Sequence, residues 1–348
     1  MLTMAIDAAD YRHAAEILAE AKRVLLVSHE RPDGDALGSL IALRSMLRAA
    51  GVDAEAVTFD FDPRSGRYAW LDAAVPVPRW PEDLSAETVG DLDAIVVLDT
   101  CSYGQLESFS EFLRASTATK IVLDHHVTRD ELADVYLIDE TAAATCVLLT
   151  EWADAAGWTV DATAELGLFV GMATDSGWFR FSNTDARTLR AAARLIEAGL
   201  RPDEIYQQLY LADSPARIRL LGKVIETLEL HADGALATVH ITRAMLDATG
   251  ATPAESEDMV NEPQRIASVN VCALFVERDD GVVKASLRSK RDIDVAAVAS
   301  SMGGGGHQRA AGLRRQGTLD EVKAHVTAAL LEAMSDADSG TGPPQKPG

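Results

Sequence analysis

Cysteine is scarce in this chain of 348 residues: there are three, Cys101, Cys146 and Cys272, far apart and without CxxC spacing. An odd, scattered set argues against a disulfide framework and fits reduced, partly buried thiols. Basic residues are also few, with 32 Lys and Arg against 54 Asp and Glu, for a net charge of −22 and a pI near 4.7. That excludes reliance on a broad basic surface to grip long DNA or RNA. A small phosphorylated ligand is still allowed, because bound divalent cations reverse the local field. Any nucleic acid handled here should be short. Apolar stretches are broken by charge, so no segment is expected to span a bilayer. The N-terminal MLTMAIDAADYRHAAEILAEAKR reads as an amphipathic helix and lacks the basic-then-apolar order of a signal peptide. A cytoplasmic protein is expected. No internal repeat is found.

What is there is ordinary globular composition, 47% hydrophobic with a mean hydropathy of zero, in a chain long enough for two domains. Short apolar runs at 24–28, 54–59, 94–99 and 120–124 read as buried parallel strands. Helical stretches are expected at 37–50 (closed by Gly51), 142–156, 162–174, 185–198 and 214–230. The fold class is therefore α/β, a doubly wound and mainly parallel sheet linked by helices to a smaller α+β domain. In that second domain 235–241, 268–277 and 282–288 read as strands, and 294–302 and 319–334 as helices. The expected division is a catalytic domain over 1–200, a helical linker over 201–230, a second domain over 231–334 and a disordered tail over 335–348, which is polar and rich in Gly and Pro.

In open α/β sheets ligands gather beyond the carboxyl ends of the strands. Three expected strands end in the same chemistry. The first runs into SHERPDGDALGS, with His29, Asp33 and Asp35; the third ends in VVLDT, with Asp99; the fourth ends in VLDHH, with Asp124, His125 and His126. A fourth acidic turn, GMATDSGWF, places Asp175 after a helix. Carboxylates and imidazoles without thiolates favour a hard or borderline cation such as Mn²⁺ over structural zinc. Each piece alone has a plain structural reading: Asp35 as the N-cap of the next helix, Asp99 as a turn residue, the histidine pair as surface decoration. Their shared place at strand ends favours the joint reading.

The second domain contributes ASLRSKRDIDVAAVASSMGGGGHQRAAG. Backbone N–H groups of Gly304, Gly305 and Gly306 are candidates for an anion-binding nest. Arg288 offers a fork suited to phosphate, and His307 adds a donor. Ser286, Asn261 and Arg309 are weaker candidates, as is Arg180 in RFSNT. Phe179 and Phe181 read as core, and Cys101 as packing.

The ordered set SHERPDGDALGS, VVLDT, LDHH and GMATDSGWF resembles the DHH phosphoesterases, and the glycine-rich segment resembles their DHH-associated C-terminal domain. Within that family the chain is most similar to the bacterial NrnA-like enzymes, which combine oligoribonuclease and pAp phosphatase activities. The resemblance implies two divalent cations, Mn²⁺ in preference: one held by His29, Asp33 and Asp99, the other by Asp35, Asp99, His125 and Asp175. Asp99 would bridge them, Asp124 would orient the histidines, and His126 would meet the scissile phosphate. The chemistry implied is attack on phosphorus by a metal-activated hydroxide. Expected partners are short oligoribonucleotides, pAp, or linear or cyclic di-adenylate, with no long nucleic acid, no membrane, and a homodimer as one assembly. A dedicated cyclic di-AMP or pApA phosphodiesterase is the enzyme alternative, and a nucleotide-binding sensor the non-enzyme one.

Overall fold

The computed structural model describes residues 6–59, 67–106, 108–278, 281–290 and 293–338, except the side chains of His307 and Asp338. It divides into two compact units, Met1–Ala212 and Asp213–Gly348. In the first, α1 (Ala8–Glu20), β1 (Arg23–Val27), α2 (Gly34–Ala49), β2 (Asp53–Val57), α3 (Ala69–Ala74), β3 (Ala94–Leu98), α4 (Phe109–Ala115), β4 (Thr119–Asp124) and β5 (Val135–Ile138) are followed by four helices. These are α5 (Thr145–Ala156), α6 (Ala162–Asp175), α7 (Ala186–Glu197) and α8 (Pro202–Tyr210). All five strands run parallel in the order β2-β1-β3-β4-β5.

Side-chain alternation along each strand feeds two cores. Val24 and Leu26 of β1, with Val96 and Leu98 of β3, pack toward α1, α2, α5 and α6. Leu25 and Val27, with Ile95 and Val97, pack on the other face with Phe59, Trp80 and Phe109. Both faces are covered, as a parallel sheet requires. The order reverses between β1 and β3, and a crevice at such a reversal is the usual ligand position in open α/β sheets.

The second unit holds α9 (Pro215–Glu226), β6 (Glu229–His231), β7 (Leu236–Ile241), α10 (Arg243–Thr249), β8 (Val271–Glu277) and β9 (Val282–Ser289). It ends with α11 (Val295–Ser301), β10 (Gly305–His307), β11 (Ala310–Gln316) and α12 (Leu319–Asp338). Its six strands are ordered β10-β11-β9-β8-β7-β6. The division between units falls inside the stretch read as a linker, with α8 in the first unit and α9 in the second.

Several elements differ from expectation. The helix expected at 142–156 begins at Thr145, because Asp139 binds the Thr141 N–H and hydroxyl and ties 139–142 into a turn. The helix expected at 214–230 stops at Glu226: the Thr227 hydroxyl accepts from the His240 N–H, and the chain continues as edge strand β6. Strands β5, β6, β10 and β11 were not expected. The first four residues of the expected tail are helical, within α12, and 339–348 lie outside the described residues. Gly51 follows α2 with φ +88°, the left-handed value that favours glycine after a helix.

Candidate metal centre

His29 follows β1, Asp99 follows β3 and His125 follows β4, so three parallel strands deliver donors to one end of the sheet. Asp99 has φ +60°, a left-handed turn that Asp tolerates better than most residues. The fourth contribution comes from helices. Gly34 and Gly38 of α2 lie against Gly167, Gly171 and Thr174 of α6 with no room for a Cβ between them. That close approach brings Asp35, at the start of α2, beside Asp175, the last residue of α6.

The N-cap of α2 is Asp33, whose Oδ1 accepts from the N–H groups of Asp35 and Ala36 at 2.9 and 3.0 Å. Asp35 is therefore not that N-cap, the plain alternative its position allowed. Asp35 is wholly buried, and its two oxygens instead accept from the N–H groups of Thr145 and Cys146 at 2.6 and 3.0 Å. It thus satisfies donors at the start of α5, whose own N-cap residue, Ala144, has no side chain to do so.

The donors fall into overlapping groups. His29 Nε2 lies 3.9 Å from Asp33 and 3.5 Å from Asp99. His125 Nε2 lies 3.5 Å from Asp99, 3.5 Å from Asp175 and 4.0 Å from Asp35. His29–Asp33–Asp99 and Asp35–His125–Asp175 are each compact enough to hold an ion, as is Asp99–His125–His126. Asp99 touches both sides, one oxygen toward His29 and the other toward His125. All six expected ligands are brought together.

The histidines are oriented from behind. His125 Nδ1 lies 3.1 Å from the Ala142 carbonyl, so it carries a proton, and Nε2 is the atom turned toward the carboxylates. Asp124 Oδ1 accepts from His126 Nδ1 at 2.7 Å and from the N–H groups of His125 and His126. Burial works against protonation of His126, but the Asp124 hydrogen bond and the Asp99 charge outweigh it and raise its pKa.

The electrostatics fit a cation. Burial, reinforced by the charge of Asp99, pushes the Asp35 carboxyl up to about 8, and burial raises Asp175 well above the carboxylate range. Burial likewise opposes ionisation of Asp99, yet hydrogen bonds from His125 and His29 hold it well below that range. Among the described residues no Lys or Arg pairs with these carboxylates, and a hard or borderline divalent ion suits the donor set.

In the second unit the strand registers place His307, Ala310, Arg288 and Cys272 in one row across four strands. The His307 side chain lies outside the described residues. Arg288 is half-buried, and burial lowers its pKa against the opposing charges of Asp258 and Glu257. Asn261 donates to Asp258 from the adjoining 3₁₀ turn, Met259–Arg265. Ser286 pairs in register with Gly312, and the Arg309 carbonyl accepts from the Ser289 N–H. The glycines form a hairpin: the Gly303 and Gly304 N–H groups already donate to Ser300 and Ala299, and Gly305 and Gly306 enter β10. Those first two N–H groups are not available to an anion. Arg180 donates to the Gly177 carbonyl at 2.7 Å, on the turn after Asp175.

Sequence reading missed Thr145, whose hydroxyl donates to Asp99 at 3.0 Å, and Asn183, whose amide donates to the Asp175 carbonyl at 3.2 Å. Asn183 lies in the quoted RFSNT; nothing local marks Thr145.

The sequence matches the DHH family, N-terminal domain, over residues 23–169 and the DHHA1 domain over 236–336. It is 30% identical over 335 residues to the bifunctional oligoribonuclease and PAP phosphatase NrnA of Thermus thermophilus, covering 94% of this chain and 95% of that protein. It is 27% identical to the cyclic-di-AMP phosphodiesterase GdpP of Geobacillus thermodenitrificans, over 94% of this chain but 49% of that protein. The structure resembles an exopolyphosphatase-related protein from Bacteroides fragilis, with a TM-score of 0.88 at 24% identity over 95% of this chain and 98% of that one. With donors from strand ends and helix ends gathered in the arrangement its motifs imply, the chain belongs to the DHH family of phosphoesterases and carries a DHHA1 domain.

Proposed function

We propose that this protein is a metal-dependent phosphodiesterase that hydrolyses short oligoribonucleotides to mononucleotides and removes phosphate from 3′-phosphoadenosine 5′-phosphate. The observation that carries the reading is the sharing of Asp99 between two compact ligand groups, joined by near full-length similarity to a relative of that name. Two divalent cations, Mn²⁺ in preference, would occupy the groups, lower the pKa of a water between them and neutralise charge on the phosphoryl oxygens. His29, Asp33, Asp35, His125 and Asp175 hold the ions, with Asp99 common to both. His126, whose protonated form the Asp124 hydrogen bond favours, would meet a phosphate or leaving-group oxygen. Arg288, His307, Gly305 and Gly306 contribute to holding the substrate, with Ser286, Asn261, Arg309 and Arg180 as secondary contacts; Gly304, whose N–H is committed to Ala299, drops out of the nest.

The domain reading of a catalytic unit with a substrate-binding unit, the cytoplasmic location and a homodimeric assembly belong to the same proposal. Among the described residues no helix is long and apolar enough to cross a membrane. Hydrolysis of cyclic di-AMP or pApA is the second reading, favoured by the similarity to GdpP.

The test is turnover with Mn²⁺ on pAp, RNA of two to five nucleotides, pApA, cyclic di-AMP and pyrophosphate. Hydrolysis of short RNA and pAp is expected. Turnover of cyclic di-AMP alone would transfer the assignment to the second reading, and binding without turnover would make the protein a nucleotide sensor.

A further inference from the structure

All three members of the Asp35–His125–Asp175 group are tied to one short segment of chain. The Ala142 carbonyl fixes the His125 ring at Nδ1. The Ala143 carbonyl accepts from Asn183 Nδ2 at 3.2 Å, and the same nitrogen reaches the Asp175 carbonyl. The Thr145 and Cys146 N–H groups hold the Asp35 carboxylate. Among the described residues, His29 and Asp33 take no hydrogen bond from this segment, and it reaches their side only through the shared Asp99, which accepts from the Thr145 hydroxyl at 3.0 Å.

The segment is held in turn by a half-buried ion pair that the chemistry does not use. Asp139 is wholly buried. Its Oδ1 accepts from the Thr141 N–H and hydroxyl at 3.0 and 2.6 Å, and its carbonyl accepts from the Ala142 N–H. Its Oδ2 pairs with Arg187 of α7 at 2.7 Å. Arg187 also grips Glu151 of α5 through Nε and Nη2. A buried ion pair contributes little net stability compared with a well-packed apolar substitute, because desolvation offsets the attraction. Its planar fork does impose direction, and here that direction fixes a turn carrying three ligand anchors.

We propose that Asp139 and Arg187 are positioning residues for one metal position above the other: they set the 139–146 turn that anchors Asp35, His125 and the backbone of Asp175, and they reach the His29–Asp33 side only through the shared Asp99. The inference rests on the two-cation reading above but not on any substrate.

The same helix supplies a control. Arg194 of α7 pairs with Asp154 of α5 at 2.7 Å and bridges the same two helices without touching the turn. Chelator-stripped wild-type protein, Asp139→Asn, Arg187→Met, Arg187→Lys and Arg194→Met would be titrated with Mn²⁺ by calorimetry and by electron paramagnetic resonance. Circular dichroism of each metal-free variant establishes that it is folded. Wild type and Arg194→Met are expected to take up two ions, with the signal of a coupled pair. Asp139→Asn and Arg187→Met should bind one ion with affinity closer to wild type and the other roughly 10–100-fold more weakly, giving an isolated-ion signal at low loading. Arg187→Lys, which keeps the charge and loses the fork, should recover part of that loss.

Equal weakening of both ions, no weakening in folded variants, or the same loss in Arg194→Met would overturn the proposal, as would a wild type that binds a single ion. A wild type that binds two ions yet cleaves no short RNA would remove the substrate reading and leave this one standing.

Discussion

A Cβ placed on Gly167 would lie 2.5 Å from the carbonyl oxygen of Gly38, so α2 and α6 pack backbone against backbone. The same seam would put a Cβ on Gly171 2.5 Å from Asp35 Oδ1 and 2.9 Å from the Cβ of Cys146. Close helix approach and ligand placement are therefore one feature, and they separate under mutation. Gly38→Ala and Gly171→Ala should each lower stability by about 1–3 kcal/mol through overpacking, read from denaturant midpoints. Gly171→Ala should also lower Mn²⁺ affinity, because the added methyl displaces Asp35. Wild-type midpoints for both would show that the helices have slack the structure does not display.

Asp99 belongs to two of the ligand groups, one with His29 and Asp33 and one with His125 and His126, whereas His29 belongs to one. Asp99→Ala should abolish turnover and reduce bound metal more than His29→Ala does, in protein that stays folded. Metal analysis on gel-filtered protein decides it; wild-type stoichiometry and kcat in Asp99→Ala would end the bridging assignment.

Metal binding should release protons. In the metal-free protein burial pulls His29 down, but the Asp99 hydrogen bond and the charges of Asp33, Asp99 and Asp35 carry it up to about 9 from an ordinary 6.5. A raised pKa means that the proton stabilises the metal-free fold fully below 6.5, and that this contribution is lost as pH rises through about 9. A cation needs the neutral ring, so apparent Mn²⁺ affinity should climb between pH 6.5 and 9. Calorimetry at neutral pH in buffers of different ionisation enthalpy measures the protons released. Zero release would contradict a protonated His29.

Arg288 lies in the second unit, outside the metal ligands. Arg288→Ala should raise KM for short RNA, a cost on the order of 1.5–3 kcal/mol for a lost charge-assisted hydrogen bond, and leave kcat nearly unchanged. A fall in kcat at constant KM would give the guanidinium a role in the transition state instead.

Substrate length should limit the enzyme more than sequence does. A chain of net charge −22 offers a long strand little counterion release and much repulsion. Rates on 5′-labelled RNA should fall steeply from two to about 24 nucleotides, with base identity mattering less because phosphate contacts position without reading sequence. A 24-mer degraded as fast as a dimer at moderate salt would point to a processive exonuclease.

The candidate ligand residues and the strands that carry them were legible in the sequence because each is local. An apolar run as short as 94–98, bounded by polar residues, reads as a buried strand, and the residue after it emerges at the sheet's carboxyl end. Asp33, Asp35, His125 and His126 sit within a few residues of such runs, so their chemistry could be read with no knowledge of packing. Only the tertiary structure decided what holds them. Asp35 meets Thr145 from 110 residues away, Asp139 meets Arg187 from 48 away, and Gly38 meets Gly167 across two helices. The start of α5 was misplaced for the same reason: 142–144 are alanines that favour helix locally, and the Asp139 turn overrides that preference. Edge strand β6 likewise exists because Thr227 finds His240. Apolar periodicity and motif spacing are properties of neighbours in the chain. Partner choice for a buried carboxylate, a guanidinium or a bare glycine is settled only when distant segments are packed together and every buried polar group must find a partner.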